Sequence, residues 1–410
     1  MPCQTWRNWQ NKRQLPPKDA SRKRLCAEDA SWTNSPMKKT IRLLLATRKG
    51  LFELEPQTEA AWSVSDTAFL GDPVTLAFHD SRSGHAYAAL NHGHFGVKLH
   101  RRLAGQSDWQ EIETPAYPPF PEGREPDRCP FRGIEIPWKL EQIWALAPGG
   151  EDQPGRIWCG SLPGGLFKSD DHGDSWQFVD SLWNVPERAK WAGGGYDFPG
   201  IHSIAVDPRD SRRVVVGISC GGIWETSDDG GTWKLIGQGL RAEYMPPELA
   251  YDPVAQDPHY LVSCPAQPER IWVQHHNGIF RSDDGGKTFS EIKDAGPSVF
   301  GFAVAVHPQD PDTAWFVPAI KDEQRIPVDG KLVVTRTRDG GKHFQTLGNG
   351  LPQTHAYDLV YRHALAVDDT GDRLAFGSTT GSLWTSDDQG DTWQLASAHF
   401  PPINSVSFYQ

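Results

Sequence analysis

The sequence predicts an all-β fold, a seven-bladed β-propeller whose blades are four-stranded antiparallel sheets. Three observations lead to this prediction. A short turn motif recurs along the chain, and apolar segments of strand length precede each clear copy. The C-terminal segment also has the pattern of the first strand, which the first repeat lacks. The 410 residues include 40 Gly and 33 Pro beside many aromatic residues. This composition is typical of a turn-rich, folded chain.

The recurring motif has Ser or Thr, Asp, Gly and a second Ser or Thr at alternate positions, and it closes with Trp or Phe. Four intact copies, and a fifth with His at the second hydroxyl position, begin at Ser169, Thr226, Ser282, Ser386 and Thr337. Hydroxyl and carboxylate oxygens at this spacing accept backbone N–H groups, and glycine supplies a positive φ. Each copy therefore predicts a tight turn between two strands, with the closing aromatic packed between neighbouring sheets.

Each repeat is predicted to contain four strands, A to D, with the motif in the C–D turn. The clearest A and B strands are residues 201–207 and 213–219. Two degenerate repeats precede the first intact copy. The closing aromatic positions are Trp62, Trp109, Trp176, Trp233, Phe289, Phe344 and Trp393. Seven repeats of four strands are the pattern of a seven-bladed propeller.

The two ends of the chain predict how the ring closes. Residues 41–46 enter as strand B of a repeat without an A strand, and residues 404–409 have the pattern of that missing strand. Pairing them would remove open sheet edges. Residues 41–410 are predicted to be a single propeller and residues 1–40 a basic, disordered leader. We interpret the part before Met37 as an upstream extension; an organelle-targeting segment and a nucleic-acid arm are the alternatives.

Charge and apolar patterning exclude several classes of protein. The net charge is −11 although residues 1–42 are basic, so the propeller is more acidic still and repels nucleic acid. No run is long and apolar enough for a membrane helix, and the N-terminus lacks the apolar core of a secretory signal. These patterns predict a cytoplasmic protein with neither a nucleic-acid nor a membrane partner. The six cysteines form no C-x-x-C pair and are predicted to be free thiols, mostly buried.

The motif resembles the Asp-box, or BNR repeat, of sialidases, sortilin-type receptors, family 74 xyloglucanases and the photosystem II assembly factor. Residues 45–52 and 196–202 resemble bacterial seven-bladed proteins labelled exo-α-sialidase or glycosyl hydrolase. The resemblance implies a glycosidase-like hydrolase that binds a small-molecule or carbohydrate-like ligand. The alternative is a non-catalytic interaction or assembly scaffold with a protein partner. The sialidase sequence Arg-Ile-Pro begins at Arg325, after three motif copies, so the sialidase residues are not carried over and enzyme activity stays open.

The position just before the core of each A strand predicts a candidate site. In a propeller the A strands line the axis, and the D–A and B–C loops share the face opposite the C–D turns. Four of these seven positions hold Glu or His: Glu141, His202, His259 and His363. Together with His275 from a B–C loop, they predict a centre for a divalent metal such as Zn, Fe, Cu or Mn. The alternatives are a metal-free ligand or catalytic pocket, and hydrogen bonding to channel water alone.

Other residues on this face are candidates for catalysis and substrate binding. Glu141 is predicted to be a metal ligand or general base, with His202 and Arg325 as further catalytic residues. The residues predicted to contact a substrate are His92, His94, Tyr196, His276, Lys321 and Asp322. For the last two, solvated loop charge is the alternative. A proline-rich insertion, residues 115–137, is predicted to be a partial lid or a filler over the rim.

Overall fold

The computed structural model describes residues 41–58 and 61–410, so the predicted leader lies outside the described residues. Within the described part, 28 strands form seven four-stranded antiparallel sheets. Six of the sheets are meanders of four consecutive strands, and one combines the first three strands with the last. The prediction of an all-β, seven-bladed propeller is therefore confirmed.

The blades are numbered in chain order. Blade one contains β1 (Arg42–Thr47), β2 (Gly50–Thr58), β3 (Ala61–Ala68) and β28 (Ile403–Tyr409). Blades two and three contain β4 (Val74–Asp80), β5 (His85–Asn91), β6 (Val97–Arg102), β7 (Gln110–Ile112), β8 (Gln142–Pro148), β9 (Ile157–Leu162), β10 (Leu166–Ser169) and β11 (Gln177–Phe178). Blade four contains β12 (Gly200–Asp207), β13 (Asp210–Ser219), β14 (Gly222–Thr226) and β15 (Lys234–Ile236).

Blade five contains β16 (Pro258–Cys264), β17 (Gln267–His275), β18 (Gly278–Ser282) and β19 (Ser290–Ile292). Blades six and seven contain β20 (Gly301–Val306), β21 (Ala314–Pro318), β22 (Val334–Thr337), β23 (Gln345–Leu347), β24 (Leu365–Val367), β25 (Leu374–Gly377), β26 (Leu383–Ser386) and β27 (Gln394–Ser397). Short helices lie in the connections: α1 (Asp180–Trp183) and 3-10 turns at Gly93–Phe95, Pro186–Lys190, Pro253–Ala255, Val328–Gly330 and Arg362–Ala364. Among the described helices, none has the length and apolar character needed to cross a membrane.

The C-terminal strand closes the ring. Strand β28 pairs antiparallel with β1, from Arg42 opposite Tyr409 to Ala46 opposite Ser405. The sheet order β28-β1-β2-β3 therefore makes the last strand of the chain the innermost strand of blade one. This is the predicted closure, and it pairs the edge of β1 that would otherwise be open.

The repeated motif forms the turn between the third and fourth strands. In the first intact copy the hydroxyl of Ser169 accepts the N–H of Gly173 at 2.8 Å, and the carboxylate of Asp171 accepts the N–H and hydroxyl of Ser175 at 2.8 and 2.6 Å. The other intact copies repeat these bonds. In the altered copy a ring nitrogen of His343 replaces the hydroxyl. The polar groups of the turn thus satisfy one another.

The core lies between neighbouring blades. Trp158 of blade three packs with Val214 and Trp224 of blade four, and Trp393 of blade seven packs with Trp315 of blade six. Four free, buried cysteines lie within the described residues, at positions 129, 159, 220 and 264. Because each blade packs against its two neighbours, the ring is a rigid support for the loops at its ends.

The innermost strands share an irregularity close to their first residues. In blades two to six the register of the A strand against the B strand shifts. The residues skipped by the pairing are Thr75, Trp144, His202, His259, and Phe302 with Ala303. Such a bulge changes the direction of the side chain that it carries. Each of these blades therefore places one re-aimed side chain at the end of the ring opposite the motif turns.

Candidate functional site

Three side chains of blade five converge at the ends of two paired strands. Asp257 directly precedes β16, His259 occupies the bulge of that strand, and His276 directly follows β17. The pairing of Pro258 with His275 brings these strand ends side by side. Because the three residues belong to one hairpin of a rigid blade, their relative positions are fixed by the sheet.

The distances within this group are short. Oδ2 of Asp257 lies 3.5 Å from Nδ1 of His276 and 3.7 Å from Nε2 of His259. One ligand atom from each residue lies within 4.8 Å of the others. In the described part of the chain, no other three His, Cys, Asp or Glu side chains come so close together. Asp257 and His259 are buried, whereas His276 is partly exposed. We call these residues the blade-five trio.

Hydrogen bonds from the surroundings orient the trio. Oδ1 of Asp257 accepts the backbone N–H of Cys220 at 3.1 Å and the hydroxyl of Ser219 at 3.2 Å. Nδ1 of His259 lies 2.7 Å from the carbonyl oxygen of Gly301. A carbonyl can only accept, so this nitrogen carries the proton and Nε2 of the neutral ring keeps its lone pair.

The environment determines the charge states of the trio. Burial disfavours the charged form of Asp257, but hydrogen bonding to His276 and the nearby imidazoles hold the pKa of this carboxyl below its usual range. Burial also disfavours charge on His276, yet the hydrogen bond and negative charge of Asp257 raise the pKa of that ring. Burial lowers the pKa of His259 to about 4. At neutral pH the carboxylate is therefore ionised and His259 is neutral.

The trio opens into a cavity of about 640 Å³, here called the blade-five cavity. Its other walls include Tyr244, the glycine segment 193–195 and the acidic side chains Glu243, Asp322 and Glu323. A second cavity of about 680 Å³, the axial cavity, is lined by the bulge residues Thr75, Trp144 and Phe302, among others. No Asp or Glu is among the lining residues of the axial cavity.

The two cavities share a boundary. The residues that line both are Gly195, Phe302, Arg325 and Arg362. Arg325 lies with its guanidinium over the ring of Phe302 and forms an ion pair with Asp322, including an Nε–Oδ1 hydrogen bond of 3.0 Å. Its charge is therefore largely compensated by the protein.

Arg362 differs from Arg325 at this boundary, because its guanidinium forms no ion pair with any described residue; the carboxylate of Asp257 favours its charged form from beyond ion-pair distance. The residue is only 7% exposed, and it forms neither a hydrogen bond nor an ion pair with any described residue; its Nε is buried without a partner. The guanidinium carbon lies 4.7 Å from the ring centre of Trp144 and 5.5 Å from that of Phe302. Burial lowers the pKa of Arg362, although an arginine stays charged at neutral pH. The aromatic faces hold in place a buried cation that faces both cavities.

The other residues predicted to bind a metal are not members of the trio. His202 is fully buried; its Nδ1 lies 2.8 Å from the hydroxyl of Ser203, and its Nε2 has no partner. His363 lines the axial cavity, and its Nε2 donates to the carbonyl of His202 at 2.9 Å. Glu141 lies outside both cavity linings and pairs with Lys139 at 3.1 Å. Of the five predicted ligands, only His259 belongs to the trio.

The ring nitrogens of His275 contact the backbone of its own hairpin. Its two ring nitrogens lie 3.1 and 3.2 Å from the backbone nitrogens of Asp257 and Asn277. Burial lowers the pKa of His275 to about 3. Both ring nitrogens thus face the main chain beside the trio, and the residue supports the position of Asp257.

The residues predicted to contact a substrate are divided between the cavities and the surface. Tyr196 lines the axial cavity, and Lys321, Asp322 and His276 line the blade-five cavity. His94 is exposed in the 3-10 turn Gly93–Phe95, and Nδ1 of His92 lies 3.6 Å from Asp72. Neither of these two histidines lines the axial cavity or the blade-five cavity.

The proline-rich insertion packs against the glycine segment that walls the blade-five cavity. Cys129 accepts the N–H of Gly193 through its sulfur at 3.5 Å, and Arg132 donates to the carbonyl of Gly194 at 3.4 Å while pairing with Asp197. Residues 115–137 therefore support a cavity wall from outside.

Sequence reasoning missed Asp257 and Arg362, which are central to the geometry of this face. The pattern Asp257-Pro258-His259 followed by His275-His276 at the end of the paired strand was a usable signal for the trio. Arg362 stands next to His363 in the sequence, and its importance depends on the absence of an ion pair with any described residue, which only the fold reveals.

No family model matches the chain. A curated relative, a xyloglucanase of Hypocrea jecorina (strain QM6a), is 26% identical over 179 residues, which are 39% of this chain and 20% of that enzyme. The chain thus spans about a fifth of the length of this relative. The GH74 xyloglucanase structure from Xanthomonas campestris has a TM-score of 0.59 and 18% identity, and it covers 91% of this chain and 53% of its own. It shares the propeller fold. YCF48 bound to a D1 peptide has a TM-score of 0.48, 15% identity and coverage of 79% and 82%, a likeness too low to support a functional inference.

Proposed function

We propose that the protein is a glycosidase-like enzyme that acts on a small saccharide bearing a carboxylate, bound where the two cavities meet. The observation that carries this proposal is Arg362, a buried guanidinium that forms neither a hydrogen bond nor an ion pair with any described residue. An unpaired buried charge costs several kcal/mol, and a bound anion would offset that cost. The planar fork of an arginine matches the two oxygens of a carboxylate.

The surroundings of Arg362 support a saccharide as the bearer of that carboxylate. Tyr196 and Tyr361 line the axial cavity beside it and offer apolar ring surface to a sugar ring with C–H groups, whereas Trp144 is buried against the guanidinium. A curated relative is named a xyloglucanase, which makes a carbohydrate the ligand class to test first.

The distribution of acidic side chains suggests where the reaction takes place. Glycoside hydrolysis uses two carboxyl groups that flank the scissile bond, about 5–10 Å apart. The blade-five cavity is lined by Asp257, Glu243, Asp322 and Glu323, and the axial cavity has no acidic lining residue. We therefore expect the reacting bond over the blade-five cavity and the carboxylate of the substrate at Arg362.

The proposal is tested by calorimetric titration with glucuronate, galacturonate and N-acetylneuraminate, with glucose and galactose as neutral counterparts. We expect one of the acids to bind and the neutral sugars not to bind. Arg362→Gln should weaken binding by about 30-fold or more, because a charge-assisted pair in a desolvated site is lost. Arg212→Gln is the matched control, because Arg212 is exposed and pairs only with its neighbour Asp210. Aryl glycosides of the acid that binds then test hydrolysis.

Two outcomes would contradict the proposal. Neutral sugars that bind as well as the acids would remove the role of the carboxylate. Absence of binding by every acid would favour the alternative of a non-catalytic interaction scaffold.

A further inference from the structure

The blade-five trio has the donor set of a transition-metal site. It offers two imidazole nitrogens and one carboxylate oxygen, the combination that Zn²⁺ and Fe²⁺ accept in proteins. A tetrahedral Zn²⁺ with bonds of about 2.0–2.1 Å holds neighbouring ligand atoms about 3.3 Å apart. The separations of 3.5 and 3.7 Å from Oδ2 of Asp257 to His276 and His259 are close to that value. The two histidine nitrogens lie within 4.8 Å of each other, so side-chain rotations, with loss of the proton by which His276 bonds to Asp257, would complete the coordination.

The direction of the lone pairs adds an independent argument. Because Nδ1 of His259 donates to Gly301, its Nε2 carries the lone pair and lies 3.7 Å from Oδ2 of Asp257. Neither of these two atoms can donate to the other, so a cation bound by both would make this approach favourable. A metal-binding histidine characteristically donates its second ring nitrogen to a carbonyl or carboxylate, as His259 does. The carboxylate of Asp257 is likewise oriented by hydrogen bonds to Oδ1 from the backbone N–H of Cys220 and the hydroxyl of Ser219.

The space around the trio leaves a position for a further ligand. Catalytic zinc sites have three protein ligands and one open position, whereas structural sites are closed by four. Here the trio borders the blade-five cavity, which Arg362 also lines. The wall beside the trio is glycine 194, where a Cβ would lie 2.9 Å from the sulfur of Cys220 and 3.2 Å from Oδ2 of Asp257. A side chain at this position would crowd the carboxylate.

We propose that Oδ2 of Asp257, Nε2 of His259 and Nδ1 of His276 bind one divalent transition-metal ion, with Zn²⁺ as the first choice, and leave a coordination position open to the blade-five cavity. This site differs from the centre predicted from the sequence, which used His202, His275, His363 and Glu141 with His259. The inference deepens the proposed function and rests on it only for the identity of the substrate. Binding of the metal itself is measured without any saccharide.

The test uses the whole protein, stripped with a chelator and titrated with ZnCl₂ in a calorimeter. We expect about one zinc ion per chain, and an affinity at least about tenfold lower in His276→Ala. His276→Cys supplies a thiolate ligand and should retain binding. His343→Ala is the matched control, because His343 also pairs with an aspartate, Asp339, but lies exposed on a motif turn. His276 is partly exposed in its loop, so these variants should fold, and circular dichroism checks this.

Cobalt separates this inference from the saccharide proposal. Co²⁺ at the trio should give the intense visible absorption of a low-coordinate, nitrogen-ligated ion, and His276→Ala should abolish it. If the metal binds and the acids do not, the metal site stands and the saccharide proposal fails. If the acids bind through Arg362 and no metal binds, the reverse holds. Zinc binding that is absent, or equal in wild type and His276→Ala, would overturn the metal site and leave the trio as a metal-free ion pair of Asp257 with His276.

Discussion

Each end of the ring contains a buried arginine, and the two arginines differ in the acceptors around their guanidinium groups. On the motif-turn end, Arg336 of β22 is 1% exposed, and its guanidinium lies 2.7 Å from each of three acceptors: Asp391, the side chain of Gln345 and the carbonyl of Gln389. On the opposite end Arg362 is 7% exposed and has no such acceptor among the described residues. The guanidinium of Arg336 thus links two blades, whereas that of Arg362 is available to bind a ligand.

The same difference extends to the neighbours of these arginines. At the motif turns, hydroxyls, carboxylates and backbone N–H groups satisfy one another within eight residues. At the other end His202 also has a buried ring nitrogen without a partner, and the trio brings two acceptors together. An unpaired buried atom alone does not distinguish the two ends, because Nε of Arg336 also lacks a partner in the described part of the chain. The difference is that the Arg336 guanidinium has three other acceptors whereas that of Arg362 has none among the described residues, so the end that carries Arg362 is where a ligand is to be sought.

Replacing each arginine with methionine gives the largest expected difference between the two ends. Arg336→Met should lower the free energy of unfolding by about 2–4 kcal/mol, because it removes the charge-assisted hydrogen bonds to Asp391, to the side chain of Gln345 and to the carbonyl of Gln389. Arg362→Met should leave stability unchanged or raise it by about 1 kcal/mol, because it removes a buried charge that forms no ion pair with a described residue. Urea denaturation measures both. Equal losses in the two variants would contradict the comparison.

A substitution in a motif turn should have a smaller effect on stability and none on the site. In Asp284→Ala the turn loses the bonds from the N–H and hydroxyl of Thr288, which measure 2.9 and 2.6 Å. We expect a loss of about 1–2 kcal/mol by urea denaturation, the usual range for a lost turn or cap interaction. Binding of zinc and of the saccharide acid should be the same as in wild type. A change in either affinity would show that the two ends are not independent.

The fold was predictable because its signals are local. The hydroxyl, carboxylate and glycine of each motif act within eight residues, and the A strand of blade one is a recognisable apolar run at the C-terminus. The candidate site was only partly predictable. The predicted axial residues His202 and His259 prove to be bulge residues, but in blade three the bulge falls at Trp144 and not at Glu141. A bulge adds a residue to one strand without changing the composition of the run, so the sequence pattern does not reveal where it falls.

Arg362 and Asp257 escaped prediction for a different reason. Charged residues in loops are usually solvated, and the sequence does not show which of them the fold buries. Asp257 gains its significance from the backbone and hydroxyl of blade four, which hold its second oxygen through Cys220 and Ser219. Arg362 gains its significance from Trp144 and Phe302, which belong to two other blades. Such contacts between blades have no signature within one repeat.

The smallest expected effect is a pH dependence that belongs to the motif turns. Hydrogen bonds from the backbone of Thr232 and from the hydroxyls of Thr226 and Thr232 lower the pKa of Asp228 from 3.8 to about 2. Its folded pKa lies below the unfolded value, so its contribution to stability is present above about pH 4 and is lost as the pH falls toward 2. Urea midpoints measured from pH 5 to pH 3 should therefore fall less steeply in Asp228→Asn than in wild type. Asp108→Asn, in an exposed loop, is the control. If the urea midpoint of Asp228→Asn falls with decreasing pH as steeply as that of wild type, the carboxylates of the motif turns do not cause the pH dependence of stability at this end of the ring.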